Sequence, residues 1–141
     1  ELQGIGNISF APNTIHPEQI YRVARAILIP SVFNESFCRV AAEAMAACVP
    51  IIASNRGAIP ETVGDSGILL EIPRKYQTYT KVLPSKEEVQ EWISALLSFW
   101  DDESKALRLV NRGKARVEKL WNEQILADKY EDVLSKLLLQ K

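Results

Sequence analysis

The sequence predicts a layered α/β fold, in which helices flank a short parallel sheet. Three continuous apolar runs have the length and composition of strands buried on both faces: AILIP, VPIIAS and GILLEI. Helical segments separate these runs, and such alternation favours right-handed crossovers between parallel strands. Because 141 residues with 47% hydrophobic content can bury one sizeable core, we predict a single domain over residues 1–141.

The elements of the first half follow from local signals. A strand is expected from Ile8 to Phe10, between Gly6 and the turn-like APNT. The next segment, HPEQIYRVA, predicts a short helix with Pro17 at its first position and Glu18 in its first turn, where the helix dipole favours an acid. The strand at Ile8 to Phe10 is the first of four, and the others are expected at AILIP, VPIIAS and GILLEI. A helix over Arg39 to Ala47 separates the second strand from the third, and a brief helix from Glu61 to Val63 separates the third from the fourth.

From Arg74 onward, the sequence becomes polar and loses its alternation of strand and helix patterns. The polar segment RKYQTYTKVLPSKEE contains Pro84 and has no sustained period, so we predict an exposed loop. Three helices are expected after it. Apolar residues recur at three- and four-residue steps from Val89 to Trp100 and again from Ile125 to Leu138, and the segment between them, Asp102 to Trp121, is more highly charged with Gly113 as a weak point. The apolar face of the last helix predicts a partner domain or self-association through this C-terminal helix.

Charge and cysteine content exclude several classes of protein. Seventeen basic and 18 acidic residues without long runs give no sign of a nucleic-acid partner, and no apolar stretch approaches the roughly 20 residues that cross a bilayer. Cys38 and Cys48 flank a predicted helix and would lie about 15 Å apart, too far for a disulfide. Reduced thiols favour a cytoplasmic protein. Since the single histidine, His16, is distant in sequence from both cysteines, we expect no metal.

Two glutamates, Glu35 and Glu43, mark the start of one predicted helix. Eight helical steps turn through about 800°, so the two side chains would project within about 80° of each other and about 12 Å apart. Asn34 to Ser36 are loop and cap types, so the free N–H groups from Phe37 to Val40 would favour a phosphate between the carboxylates. Helix starts in parallel sheets lie at the carboxyl ends of strands, where ligands bind.

Four segments occur in the order PS, ESFCRVAAEAMAACVPIIASN, RGAIPE and GILLEIP. With these segments, the chain resembles the donor-binding domain of retaining, nucleotide-sugar-dependent glycosyltransferases of group 1 (family 4). The similarity runs from about Gly6 to Tyr130. It implies a Rossmann-like three-layer α-β-α arrangement with a short parallel sheet, as part of a GT-B C-terminal domain. It also implies transfer of a sugar from a nucleotide-diphosphate sugar to a polysaccharide, lipid or small-molecule acceptor, as in polysaccharide biosynthesis, without a metal or other cofactor.

Carried onto this sequence, the resemblance assigns the site residues. It implies that Glu35 is the catalytic residue and contacts hydroxyls of the donor sugar, and that Glu43 accepts hydrogen bonds from the ribose hydroxyls. Asn13, next to Pro12, would border the base. The remaining donor-binding residues would act mostly through their backbone: Ser36, Phe37, Cys38, Arg39 and Val40.

Three positions depart from the family pattern, because Cys38, Cys48 and Ala58 stand where relatives usually carry glycine. The additional Cβ of Cys38 would crowd a phosphate, and a left-handed helix end at Cys48 would cost about 1 kcal/mol. Altered donor binding is therefore expected. We interpret Arg56, in the NRGAIP turn, as a solvated residue, and Trp92, Trp100 and Trp121 as packing residues.

The family's acceptor-binding domain, its first donor-domain strands and its basic Arg and Lys pair have no counterpart in this sequence. We therefore expect a fragment, beginning at Glu1 rather than at a methionine, that is inactive alone and whose partner is the missing N-terminal acceptor-binding domain. Peripheral membrane association of the full-length protein is left open. The alternative function is a non-catalytic nucleotide-sugar or protein-binding module of the same fold.

Overall fold

A computed structural model describes residues 6–139 and contains a three-stranded, fully parallel sheet. The strands are β1 (Ile27–Ile29), β2 (Ile51–Ser54) and β3 (Ile68–Leu70), and β2 lies in the middle. Their register places Leu28 beside Ile52, and Ile52 beside Ile68. The prediction of an α/β fold with parallel strands is confirmed.

Within residues 6–139, one helix precedes the first strand and five others connect or follow the strands. Each of the segments predicted to be helical forms one, with bounds that differ by a few residues at the ends. The helices are α1 (Glu18–Val23), α2 (Arg39–Ala46), α3 (Ile59–Val63), α4 (Lys86–Asp101), α5 (Glu103–Leu120) and α6 (Glu123–Leu139).

The sheet has a helical layer on each face. Because side chains alternate along a strand, Ile29, Ile51 and Ala53 lie in one core cluster and Ile52 lies in another. The first cluster joins β1 and β2 to α2 and α3, and the second joins Ile52 to α4 through Ala95 and Phe99. The three-layer α-β-α arrangement is therefore present.

The small residues of α2 permit a close approach to its neighbours. Ala41 and Ala44 are fully buried against the sheet and α3. On the other side, α5 approaches α2 at Gly113, where a Cβ would lie 2.9 Å from Cγ of Met45. Packing against Met45 therefore requires glycine at position 113.

The predicted strand from Ile8 to Phe10 is wrong. Residues 8–10 have no regular structure, and the side chains of Ile8 and Phe10 are 42% and 67% exposed. In the part of the chain that the structure describes, no strand pairs with this segment, and β propensity alone does not form a strand without a neighbour.

Two helix starts differ from the prediction. Pro17 is the N-cap of α1 rather than its first residue. The polar loop ends at Ser85, not at residue 88, because the hydroxyl of Ser85 accepts from the Glu88 N–H while the Glu88 carboxylate accepts from the Ser85 N–H. This reciprocal capping box starts α4 at Lys86.

The last helix, α6, buries none of its described side chains. The large apolar residues of its second half are more than half exposed: Tyr130, Val133, Leu134, Leu137, Leu138 and Leu139. The predicted partner or self-association for this helix stays a prediction. Within residues 6–139, no helix combines the length and apolar character needed to cross a membrane.

Candidate functional site

The candidate site lies where three loops leave the carboxyl ends of the strands. Residues 30–38 lead from β1 to α2, residues 55–58 lead from β2 to α3, and residues 71–85 lead from β3 to α4. Because all three strands are parallel, these loops meet at the same edge of the sheet, the edge at which open α/β sheets bind ligands.

Glu35 is held by its backbone. Its carbonyl oxygen accepts a hydrogen bond from the N–H of Ala58 at 2.8 Å, and its own N–H donates to the carbonyl of Phe33 at 3.1 Å. Gly57 permits this contact because it has a φ of 57°, and a Cβ there would lie 2.6 Å from the Glu35 nitrogen. The half-buried Glu35 side chain thus projects from a turn that is fixed against residues 55–58.

Glu43 lies in the second turn of α2, and its carboxylate has two hydrogen-bond donors. The hydroxyl of Tyr21 donates to Oε2 at 3.0 Å, and Nη2 of Arg39 donates to Oε1 at 3.2 Å. Two carboxylate oxygens offer about four lone-pair sites. Since its side chain is 34% exposed, Glu43 is oriented and still able to accept further hydrogen bonds.

Tyr21 is suited to fix Glu43 because it remains protonated. Burial raises the pKa of Tyr21 to about 12, and both the hydrogen bond to Glu43 and the negative charge of Glu43 act in the same direction. The ring is 8% exposed and belongs to the core cluster of α2 and the sheet. Helix α1 therefore contributes a rigid donor to the site, and no pattern in the sequence predicts this contact.

Cys38 is the N-cap of α2, so the free first-turn N–H groups begin beside it. Its side chain is 1% exposed and lies in the core. Burial raises the pKa of the Cys38 thiol to about 11; the Ala41 N–H acts in the opposite direction, whereas the Glu35 carboxylate adds to the rise. The thiol is therefore neutral and is directed away from solvent at the helix start.

The other predicted donor-binding residues gather at the same helix start, with one exception. Ser36, Phe37, Arg39 and Val40 are exposed around the N-terminus of α2. The Phe37 ring meets Trp121 edge to face at a centroid distance of 5.4 Å, a packing contact that ties the loop to the end of α5.

Asn13 is not brought to this cluster by the structure. It lies in the exposed segment before α1, and among residues 6–139 no hydrogen bond joins it to the residues at the start of α2. Its predicted contact with the base stays a prediction.

The two other glycine replacements have different backbone consequences. Cys48 has a φ of 59°, so the expected left-handed helix end is present with a non-glycine residue. Ala58 has a φ of −87°, an ordinary conformation, and its methyl group causes no backbone strain.

The interpretation of Arg56 as a solvated residue is wrong. Its guanidinium donates to four main-chain carbonyls, at 2.9 Å to Val32, 2.5 Å to Tyr76, 3.1 Å to Ile72 and 3.4 Å to Pro73. These acceptors are 16 to 24 residues away in sequence. A polar turn gives no local signal of such distant acceptors, so sequence reasoning could not find them.

The loop after β3 is held at a second point by Glu88. The Glu88 carboxylate accepts from Nζ of Lys75 at 2.8 Å, from the hydroxyl of Tyr76 at 2.6 Å and from the N–H of Ser85 at 2.8 Å. The hydrogen bonds from Lys75 and then Tyr76 and Ser85 lower the pKa of Glu88 to about 2. Residues 71–85 therefore form a fixed wall rather than a free loop.

Two cavities adjoin this wall. One of about 560 Å³ is polar and lies between the wall and the Glu35 loop, with Asn34, Asn55 and Arg74 in its lining. The other, of about 710 Å³, is mainly apolar and lies between β1, the wall and α4. Across the described residues, no three His, Cys, Asp or Glu side chains cluster as metal ligands.

The comparison with protein families decides the class of this chain. A family model described as glycosyl transferases group 1 matches residues 2–116. The chain belongs to this family. Within it, the chain is 31% identical over 122 residues to the D-inositol 3-phosphate glycosyltransferase of Corynebacterium kroppenstedtii, an alignment that covers 83% of this chain but only 24% of the relative.

Solved structures agree with the fold of this group-1 glycosyltransferase chain. The sucrose-phosphate synthase of Thermosynechococcus elongatus superposes with a TM-score of 0.66 and 27% identity, over 86% of this chain and 27% of that enzyme. Anabaena HepE in complex with UDP-glucose superposes with a TM-score of 0.66 and 20% identity, over 84% of this chain and 29% of HepE. The predicted resemblance to the C-terminal domain of GT-B glycosyltransferases is confirmed.

Proposed function

We propose that the chain is the donor-binding part of a retaining glycosyltransferase that transfers a sugar from a nucleotide-diphosphate sugar to a polysaccharide, lipid or small-molecule acceptor. The observation that carries this is the pair of acids at the start of α2: Glu35 is held by Ala58, and Glu43 is held by Tyr21 and Arg39. Binding of UDP-glucose by HepE, a structural neighbour, supports the class of donor.

The arrangement suits a diphosphate leaving group. The first-turn N–H groups of α2 are preorganised donors at the positive end of a helix, where negative charge is stabilised as it develops. Glu43 would accept hydrogen bonds from ribose hydroxyls with the lone pairs that Tyr21 and Arg39 do not use. Glu35 would contact hydroxyls of the sugar. These roles need no metal.

Transfer itself belongs to a longer protein. The chain spans 24% of the length of its Corynebacterium relative, so the acceptor would be bound elsewhere, in a separate N-terminal domain. Without that domain, the 141-residue chain should bind a donor but not transfer its sugar.

Titration calorimetry of the chain with UDP, GDP and ADP tests the donor site. In the variant Glu43→Gln, the acid is replaced by an amide of the same shape, so affinity for the preferred nucleotide should fall about 10- to 100-fold, or about 1.5 to 3 kcal/mol for a hydrogen bond to a charged group. The matched control is Glu131→Gln on the exposed surface of α6, which should bind as the wild type does. Equal affinity in the two variants, or no binding of any nucleotide by the wild type, would contradict the proposal.

A further inference from the structure

The turn at residues 55–58 contacts the Glu35 loop at two points. Arg56 donates to the carbonyl of Val32, three residues before Glu35, and Ala58 donates to the carbonyl of Glu35 itself. Between them, Gly57 leaves no space for a side chain against the Glu35 backbone. The position of Glu35 is therefore determined by this turn rather than by α2 alone.

Arg56 also contacts the wall formed by residues 71–85. The guanidinium that binds Val32 donates as well to the carbonyls of Ile72, Pro73 and Tyr76. One planar group with five N–H donors can bind several carbonyls at once, which an ammonium group cannot do with the same geometry. Arg56 thus sets the separation between the Glu35 loop and the wall, on either side of the polar cavity of about 560 Å³.

We propose that Arg56 is a positioning residue of the donor site, one that fixes Glu35 for contact with the sugar. This role rests on the proposed donor binding. Although its side chain also lines the polar cavity, the hydrogen bonds that Arg56 makes within residues 6–139 all go to main-chain carbonyls, so its effect on Glu35 passes through the backbone. The charge of the guanidinium strengthens these hydrogen bonds.

The two acids of the site are held independently, and this makes the role testable. Glu43 is fixed by Tyr21 and Arg39, and among residues 6–139 neither of these residues shares a hydrogen bond with Arg56. Loss of the Arg56 contacts should therefore displace Glu35 while Glu43 stays in place. Binding of the sugar should weaken, whereas binding of the nucleoside diphosphate should not change.

The experiment compares Arg56→Lys and Arg56→Met with Arg108→Met in the 141-residue chain, with circular dichroism as the check of folding. Arg108 is a matched control because it carries the same charge on an exposed side chain of α5, outside the candidate site. Affinities for UDP and UDP-glucose are measured by calorimetry. We expect both Arg56 variants to lose about tenfold of the preference for UDP-glucose over UDP, with UDP affinity unchanged, and Arg108→Met to keep that preference. An unchanged preference in folded Arg56 variants, or an equal fall for both ligands, would overturn the role.

A second measurement needs no ligand. Hydrogen exchange followed by NMR reports the Ala58 amide, which donates to Glu35. Protection of this amide should be lost in both Arg56 variants and kept in Arg108→Met. Protection that survives in Arg56→Lys and Arg56→Met would overturn the positioning role. If the wild type binds neither UDP nor UDP-glucose, the proposed donor function is contradicted, and the Ala58 amide still decides whether Arg56 positions Glu35.

Discussion

Replacement of Gly57 by alanine should destabilise the chain through two separate effects. Gly57 has a φ of 57°, which costs a residue with a Cβ about 1 to 2 kcal/mol. The new Cβ would also lie 2.6 Å from the nitrogen and 2.8 Å from the oxygen of Glu35, and 2.9 Å from the carbonyl carbon of Asn34. Backbone atoms cannot rotate away, so the Glu35 loop must shift, and such overpacking costs about 1 to 3 kcal/mol.

Together these effects predict a loss of about 2 to 5 kcal/mol in the free energy of unfolding, a large fraction of the about 5 to 15 kcal/mol typical of a domain. Urea unfolding followed by circular dichroism measures it. With a slope of about 2 kcal/mol per molar urea, the midpoint of Gly57→Ala should fall by about 1 to 2.5 M.

Gly6→Ala is the control for Gly57→Ala, because no atom lies within 4 Å of the position of its Cβ. Its unfolding free energy should stay within about 0.5 kcal/mol of the wild type. Equal urea midpoints for Gly57→Ala and Gly6→Ala would refute the claim that the turn at residues 55–58 fixes the Glu35 loop.

Two further predictions concern a helix end and a carboxylate. Cys48→Gly should raise the unfolding free energy by about 0.5 to 1 kcal/mol in urea, because the φ of 59° no longer opposes a Cβ. The carboxylate of Glu88 has a folded pKa of about 2, below the ordinary value of 4.5, so it stabilises the folded state above pH 4.5 and loses that contribution as the pH falls from 4.5 to 2. The melting temperature should therefore fall less steeply between pH 4.5 and pH 2 in Glu88→Gln than in the wild type.

These two predictions have simple checks. Cys48→Ala removes the thiol but keeps the Cβ, so it should gain no stability, and an equal gain in both Cys48 variants would show that the backbone conformation is not the cause. Parallel acid transitions for the wild type and Glu88→Gln would contradict the proposed role of the Lys75 and Tyr76 hydrogen bonds.

Sequence patterns predict the layered fold because its buried strands are continuous apolar runs and its amphipathic helices have a clear period. The three parallel strands appear as continuous apolar runs, and the helices after residue 85 appear as three- and four-residue repeats. The segment from Ile8 to Phe10 has a similar apolar composition but forms no strand, since a strand also requires a neighbour, which a single segment of sequence does not reveal.

The site could be predicted only where its residues are contiguous. Glu35 to Val40 and Glu43 lie on one loop and one helix, so the sequence could predict that they lie near one another, and their roles stay predictions. Arg56 and Tyr21 were missed, because Arg56 binds carbonyls 16 to 24 residues away and Tyr21 reaches Glu43 across 22 residues. Contacts at such separation depend on the assembled sheet and leave no periodic signal in the chain.

The close approach of α2 and α5 at Gly113 has a consequence for how this site can evolve. The helix that carries Glu43 is backed by a position 70 residues further along the chain, where a methyl group would press on Met45. A larger residue at position 113 would push α2 outward, and the acid on its opposite side would advance into the proposed donor site. The depth of that proposed site would thus be set in part by a residue on the far side of α2.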